Sequence, residues 1–241
     1  MKTSNNAILA LAVGGLALIF SVGSMAAEDA KDKGTNSDPE TKVPASPAVA
    51  AVENLALAGQ LVAYGDQAKD PLALILAAKI MKSTSPQPVD LKKEGQAVPK
   101  DAKKEGGNKH EVSAILNRAK TLAVGRQDLL AMVTDVEAMT AKGILPRSLA
   151  GQIDWQRVAA GHTDVYDLPF QGGTEAIVYI EGDGDTDLDL YVYDQNGNRI
   201  CSDTDYTDQL ICSWTPRWTG NFRIKVVNRG NVWNEYGFVT N

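Results

Sequence analysis

The sequence predicts an α+β protein: N-terminal helical hairpins forming a small bundle, followed by a C-terminal antiparallel β-sandwich. Three observations carry this. Apolar residues recur at helical spacing in four runs between Ser46 and Gly143. From Asp164 onward the period changes to two, in short runs separated by turns rich in Gly, Asn, Asp, Thr and Pro. The charge divides at the same place. The stretch from Asp164 to the end has thirteen Asp/Glu and five Lys/Arg, a net of −8, whereas the 241-residue chain carries −6.

Met1 to Ala27 reads as a secretory signal peptide. Lys2 is the positive n-region, Ala7 to Phe20 the apolar run, and Ser24-Met25-Ala26 the small-residue cleavage site. The run is shorter than the ~20 residues of a spanning helix, so no membrane span is expected after cleavage. An exported protein, periplasmic or secreted, follows. Glu28 to Ala45 is charged and Pro-rich without periodic apolar residues, and reads as a disordered linker.

The helical domain is expected over residues 46–143. Ser46-Pro47 is an N-cap followed by a good first helical residue. Val52, Leu55, Ala56, Gly59, Val62 and Ala63 follow at helical spacing, and Gly65 fits a C-terminal cap. Asp70-Pro71 repeats the start signal, and the next helix runs to about Lys82. The insert near 83–109 is rich in Pro, Gly, Lys and Glu and is expected to be disordered. Helical spacing resumes through Val112, Ile115, Leu116, Ala119 and Leu122, then through Leu129, Leu130, Met132, Val133, Val136 and Met139. His110-Glu111 begins like a zincin motif but lacks its second His. Residues 144–163 read as a linker.

The sandwich is expected over 164–241, with strands near Val165–Phe170, Glu175–Glu181, Leu188–Tyr193, Arg199–Cys201, Leu210–Trp214, Asn221–Val227 and Trp233–Thr240. Asn196-Gly197 is a strong hairpin signal. Cys201 and Cys212 are the two cysteines of the chain, and in an exported protein they are expected to form a disulfide across a hairpin.

The run Asp164-Val-Tyr166-Asp-Leu-Pro-Phe170, the Gly172-Gly173 turn, Asp187-Leu-Asp189-Leu-Tyr-Val-Tyr-Asp with Asn196-Gly197, Trp214, Gly220-Asn-Phe222-Arg-Ile-Lys-Val226 and Tyr236-Gly-Phe238 together resemble the bacterial pre-peptidase C-terminal domain. The resemblance covers about the last third of the chain. It implies a β-sandwich of the kind appended to secreted proteases and other exported proteins, some implicated in calcium binding, substrate attachment or secretion. No protease domain precedes it here.

Asp183, Asp185, Asp187 and Asp189 alternate. On a strand that began early they would share one face, about 7 Å apart. Like charges that close repel unless a cation or donors intervene, and calcium takes six to eight oxygens with loose geometry. Asp203, Asp205 and Asp208 are candidate further ligands. The alternative is structural, since Asp and Gly form turns and accept backbone N–H groups. Trp214, Trp218 and Trp233 are candidate partner-binding aromatics, with core packing as the alternative.

The acidic balance argues against a nucleic-acid partner. With two His and two Cys, a zinc site built from those residues is disfavoured. Gly-x-Ser-x-Gly, metalloprotease-helix and phosphate-loop motifs are all missing. The expectation is an exported, non-enzymatic binding or adaptor protein whose sandwich holds a protein or polysaccharide partner, with calcium as the one candidate cofactor. The alternatives are a carboxylate-dependent hydrolase of the cell envelope, with Asp187 and Asp189 facing a cleft, and a helical protein-docking scaffold.

Overall fold

The computed structural model describes residues 34–40, 43–99, 109–139 and 152–241. The expected signal peptide lies outside them. Four helices come first: α1 (Pro47–Ala68), α2 (Pro71–Thr84), α3 (Val112–Leu122) and α4 (Gln127–Ala138). Ser46 Oγ accepts from Val49 N at 3.2 Å and Asp70 Oδ1 from Leu72 N at 2.9 Å, so the two expected starts are capped as the sequence implies. α1 ends later than expected. It runs through Gly65 to Ala68, and Lys69 takes the left-handed turn with φ 56°. Gly65 serves packing instead, because a Cβ there would lie 2.8 Å from the Leu74 side chain on α2. Val62, Leu74, Ile75, Ile115, Leu116 and Val133 fill the space among the four helices. Lys82 Nζ donates to the carbonyls of Val136 and Glu137 at 2.9 and 2.8 Å, satisfying orphan acceptors at the end of α4.

Among the described residues nine strands follow the helical pattern or interrupt it: β1 (Gln87–Pro88), β2 (Gln152–Val158), β3 (Thr163–Phe170), β4 (Ala176–Gly182), β5 (Leu188–Tyr193), β6 (Arg199–Asp203), β7 (Gln209–Trp214), β8 (Gly220–Asn228) and β9 (Asn234–Thr240). Sheet A has the order β1-β2-β9-β4-β7 and sheet B the order β3-β8-β5-β6. Val178, Ile180, Leu210 and Phe238 of sheet A meet Tyr166, Leu190, Phe222 and Ile224 of sheet B in one core. The α+β class and the sandwich therefore stand.

The helices cover the other face of sheet A. Val49, Val52, Leu55 and Ala56 of α1 pack on Ile177, Tyr179 and Val239. β4 is consequently buried on both faces along its whole length, which is why Ala176-Ile-Val-Tyr-Ile180 reads as a continuous apolar run and not an alternating one. α1 is also the one described helix long and apolar enough to cross a membrane, and half of that stretch is buried in the protein.

Three expected linkers are structured where they are described. Residues 152–158, expected as linker, form β2, which pairs along β9 from Gln152↔Thr240 to Val158↔Asn234. Its Gln-Ile-Asp-Trp-Gln-Arg-Val sequence alternates too weakly to declare itself. The insert expected to be disordered laces both sheets. β1 pairs parallel to β2, Val89 N donates to Ile153 O, and Glu94 bridges to Val165. Lys93 Nζ reaches Asp164 Oδ2 at 2.5 Å, and that carboxylate also accepts from Tyr236 OH at 2.7 Å. From the N-terminal tether, Asn36 is fully buried. Its amide bonds the Trp218 backbone in both directions at 3.0 Å, and its N–H donates to Asp194 Oδ2 at 2.9 Å. These attachments are polar and local, so hydrophobic periodicity does not register them.

The Asn-Gly hairpin forms between β5 and β6. Gly197 N donates to Asp194 O at 3.0 Å, closing a turn over Gln195-Asn196, and Gly197 itself takes φ +87°. The disulfide is present but placed differently from the expected hairpin: Cys201 lies on β6 of sheet B and Cys212 on β7 of sheet A, so it joins the two sheets at their open edge.

With 11 residues of separation, the chain-entropy model gives this bond about 3 kcal/mol. Replacing both cysteines by serine should lower the melting temperature by roughly 6–12 °C for a chain of this size. A fall below ~2 °C in scanning calorimetry would contradict it.

Candidate functional site

Two places gather chemistry on the finished fold. The first is the seam between the helices and sheet A. β4 carries Tyr179 and Glu181 on the same face, two residues apart, pointing at α1. α1 comes close because residue 59 is glycine, and a Cβ there would strike both the Tyr179 hydroxyl and the Glu181 carboxylate. The turn before α3 brings His110 to the same spot, with Nδ1 2.9 Å from Glu181 Oε1. Gln209 Nε2 donates to the same oxygen at 3.1 Å, and Tyr179 OH donates to Oε2. Glu181, 5 % exposed, is thus a buried carboxylate with three donors around it, the arrangement a buried charge requires.

Burial by itself pushes the His110 imidazole down, but its hydrogen bond and charge contact with Glu181, aided by Asp208, outweigh burial and the repulsion of Arg118; the net shift is upward from 6.5. Burial, then the Glu181 charge, holds the Tyr179 phenol well above 10. Burial also raises Asp208, against the Gly184 N–H it accepts and the nearby His110. Beside this cluster lies a cavity of about 250 Å³ between α1, α2, α3 and sheet A, with Trp155 and Glu111 among its walls. Among the described residues its lining contains no Ser, Thr or Cys, and the one hydroxyl there, that of Tyr179, is donated to Glu181.

The second place is the outer face of sheet B. Strand register sets Asp167, Arg223 and Tyr193 in one row and Val165, Lys225 and Tyr191 in the next. Arg223 binds Asp167 through Nε and Nη2 at 3.0 and 2.9 Å. Lys225 Nζ stands 5.1 Å from the centre of the Tyr193 ring. Arg229 Nε donates to Asp189 Oδ2 at 2.5 Å and Nη2 to Tyr191 OH at 3.1 Å. A groove of about 550 Å³ runs past Asp167, Tyr193, Gln195 and Arg223.

The candidate metal ligands are spread through this frame. β5 begins at Leu188, so Asp183, Asp185 and Asp187 lie in the preceding loop and do not alternate on a strand face. Asp183 Oδ2 accepts from Glu235 N at 2.8 Å and Oδ1 from Asp185 N at 3.3 Å. Asp185 stands 3.6 Å from Lys109 Nζ. Asp189 faces outward to Arg229. Asp203 Oδ2 accepts from Ile211 N at 2.9 Å, Asp205 Oδ1 from Thr207 N at 3.0 Å, and Asp208 from Gly184 N. Asp187 differs: its Oδ1 is buried without a partner among the described residues, and burial, then Asp189, pushes its carboxyl up. Among the described residues no group of three or more His, Cys, Asp and Glu side chains converges as a metal set.

The tryptophans separate by environment. Trp214, 6 % exposed, packs 4.9 Å from Phe170 and 5.2 Å from Phe222 and belongs to the core. Trp218 is 41 % exposed, with its backbone bound to Asn36. Trp233 has Arg157 over its ring at 4.9 Å. The fourth, Trp155 on β2, is 43 % exposed with its six-membered ring over Gly237, and lies in the stretch whose sequence reads as a linker. His110, Glu181 and Tyr179 were also not legible as a site. They are 69 or more residues apart across the helix–strand boundary, apart from the Tyr179-x-Glu181 step itself.

No family model matches the chain, and no curated protein matches it. Similar solved structures include the pre-peptidase C-terminal domain of collagenase from Bacillus anthracis, 13% identical with a TM-score of 0.31, covering 37% of this chain and 87% of that one. They also include a de novo designed double-stranded β-helix, 15% identical with a TM-score of 0.25, covering 37% of this chain and 97% of that one.

The seam has a pH signature. Stability from a raised His110 is complete below 6.5 and is lost as pH rises through its folded value. Asp208, also raised, disfavours the folded state once ionised, so its effect runs in the same direction. The melting temperature should fall from pH 6 to pH 8, and His110→Gln should flatten that slope. An unchanged slope in the variant would contradict the pairing.

Proposed function

We propose that this is an exported, non-catalytic binding or adaptor protein that holds a polysaccharide on the outer face of sheet B. The observation that carries the reading is the pair of tyrosines, Tyr191 and Tyr193, in adjacent rows with charged neighbours, on the sheet face that none of the described helices covers. Aromatic rings offer flat apolar area to a sugar ring. The Asp167–Arg223 pair beside them supplies both acceptors and donors for hydroxyl groups. Sheet A has no equivalent face, since α1 occupies it. The disulfide is compatible with an oxidising, extracytoplasmic compartment. Calcium enters this reading at Asp187, whose crowding by Asp189 and Asp205 a cation would relieve.

The test uses the full chain against insoluble peptidoglycan, chitin, cellulose and xylan. Retention on at least one of them is expected. Tyr193→Ala and Tyr191→Ala should each weaken it about tenfold, a stacking loss of ~1.4 kcal/mol, with unaltered melting for Tyr193→Ala and a lower melting temperature for Tyr191→Ala, whose hydroxyl binds Asp189 and Arg229. Equal retention of wild type and both variants, or none on any polymer, would overturn the reading. A rise in melting temperature with millimolar calcium, lost in Asp187→Asn, checks the calcium arm.

A further inference from the structure

We propose that the cavity at the helix–sheet seam binds a small organic cation, a primary or quaternary amine on an apolar body of about ten heavy atoms, since an apolar cavity of ~150 Å³ holds a benzene and this one has about 250 Å³. The site is on the opposite side of sheet A from the sandwich core and separate from the polymer face, so the two readings stand or fall independently.

The walls decide the ligand's body. Leu55 of α1, Met81 of α2, Ile153 of β2 and Val239 of β9 converge from four elements, so a ligand there is surrounded by hydrocarbon. The charge of the lining decides the ligand's head. Among the described residues Glu111 and Glu181 line the cavity, and no Lys or Arg does. His110 offsets one carboxylate by its contact with Glu181. The Glu111 carboxylate is then the surplus, on the exposed residue that opens α3. An anionic ligand would meet that surplus as repulsion, whereas an ammonium meets it as attraction.

Aromatic faces favour the same sign. Trp155 is half-exposed at the rim, its six-membered ring carried over Gly237 because no side chain stands between them. A cation over an indole face gains from the ring quadrupole, and Trp is the strongest of the three aromatics in this respect. Trp155, 43 % exposed, lines the cavity, whereas Phe170, Trp214 and Phe222 are packed in the sandwich core, so its ring is open to a ligand held there.

The experiment is isothermal calorimetry, with tryptophan emission as a second readout, on the full chain with three probes of matched length: hexylamine, hexanol and hexanoate. Hexylamine should bind saturably, and hexanol and hexanoate at least fivefold more weakly. Glu111→Gln, a change at an exposed position, should weaken hexylamine about fivefold without moving the melting temperature. Trp155→Ala should reduce it further and remove the emission change. Hexanoate binding as tightly as hexylamine, wild-type affinity in both variants, or no saturable binding of hexylamine would each overturn the proposal.

Discussion

The structure depends on one buried carboxylate being satisfied. Glu181 sits where α1, the turn before α3 and sheet A meet, and it is held by Tyr179, Gln209 and His110 at once. Left without those donors, a carboxylate at that depth costs several kcal/mol. Each donor comes from a different place: the same strand, the neighbouring β7, and the start of the second helical hairpin. The helices therefore cannot slide over the sheet without stranding the charge, and apolar packing of Val52 and Leu55 on Ile177 and Val239 acquires a fixed register from it.

That arrangement explains why the two faces of the sandwich differ. Sheet A is covered, so its outer positions are Ile177, Tyr179 and Val239. Sheet B is open, so its outer positions are Asp167, Arg223, Lys225, Tyr191 and Tyr193. The disulfide ties β6 to β7 across the two sheets, and Asn36 ties the β5–β6 turn to the connection between β7 and β8. At the β3 edge the insert pairs backbone through Glu94 with Val165, while Lys93 reaches Asp164.

Sequence patterning made most of this architecture readable. The strands from Thr163 onward carry strong period-two signals or turn residues at their ends, and the helices begin at Ser46-Pro47 and Asp70-Pro71, whose chemistry is local. β2 was hidden because Asp154 and Gln156 dilute its apolar positions, and its partner β9 lies about 80 residues away. The clasp at Asn36 and the lacing by Lys93 and Glu94 rest on hydrogen bonds between distant residues, which leave no periodic trace. The acidic loop was legible as a carboxylate cluster, but the directions its side chains take are set by Glu235, Lys109, Arg229 and Gly184, and no local rule supplies them. The seam site required knowing that a helix approaches β4 at Gly59.

The central claim is that the seam makes the helices and the sandwich one cooperative unit. Trp214, Trp218 and Trp233 lie in the sandwich and Trp155 at the seam, so in a Trp155→Phe variant tryptophan fluorescence follows the sandwich alone, whereas circular dichroism at the helical band follows the helices. Urea unfolding monitored by both signals on the same sample is the direct test. Coincident transitions, with equal midpoints and slopes, are the predicted result. Loss of the helical signal in a separate, earlier transition, with tryptophan fluorescence still native, would contradict the account.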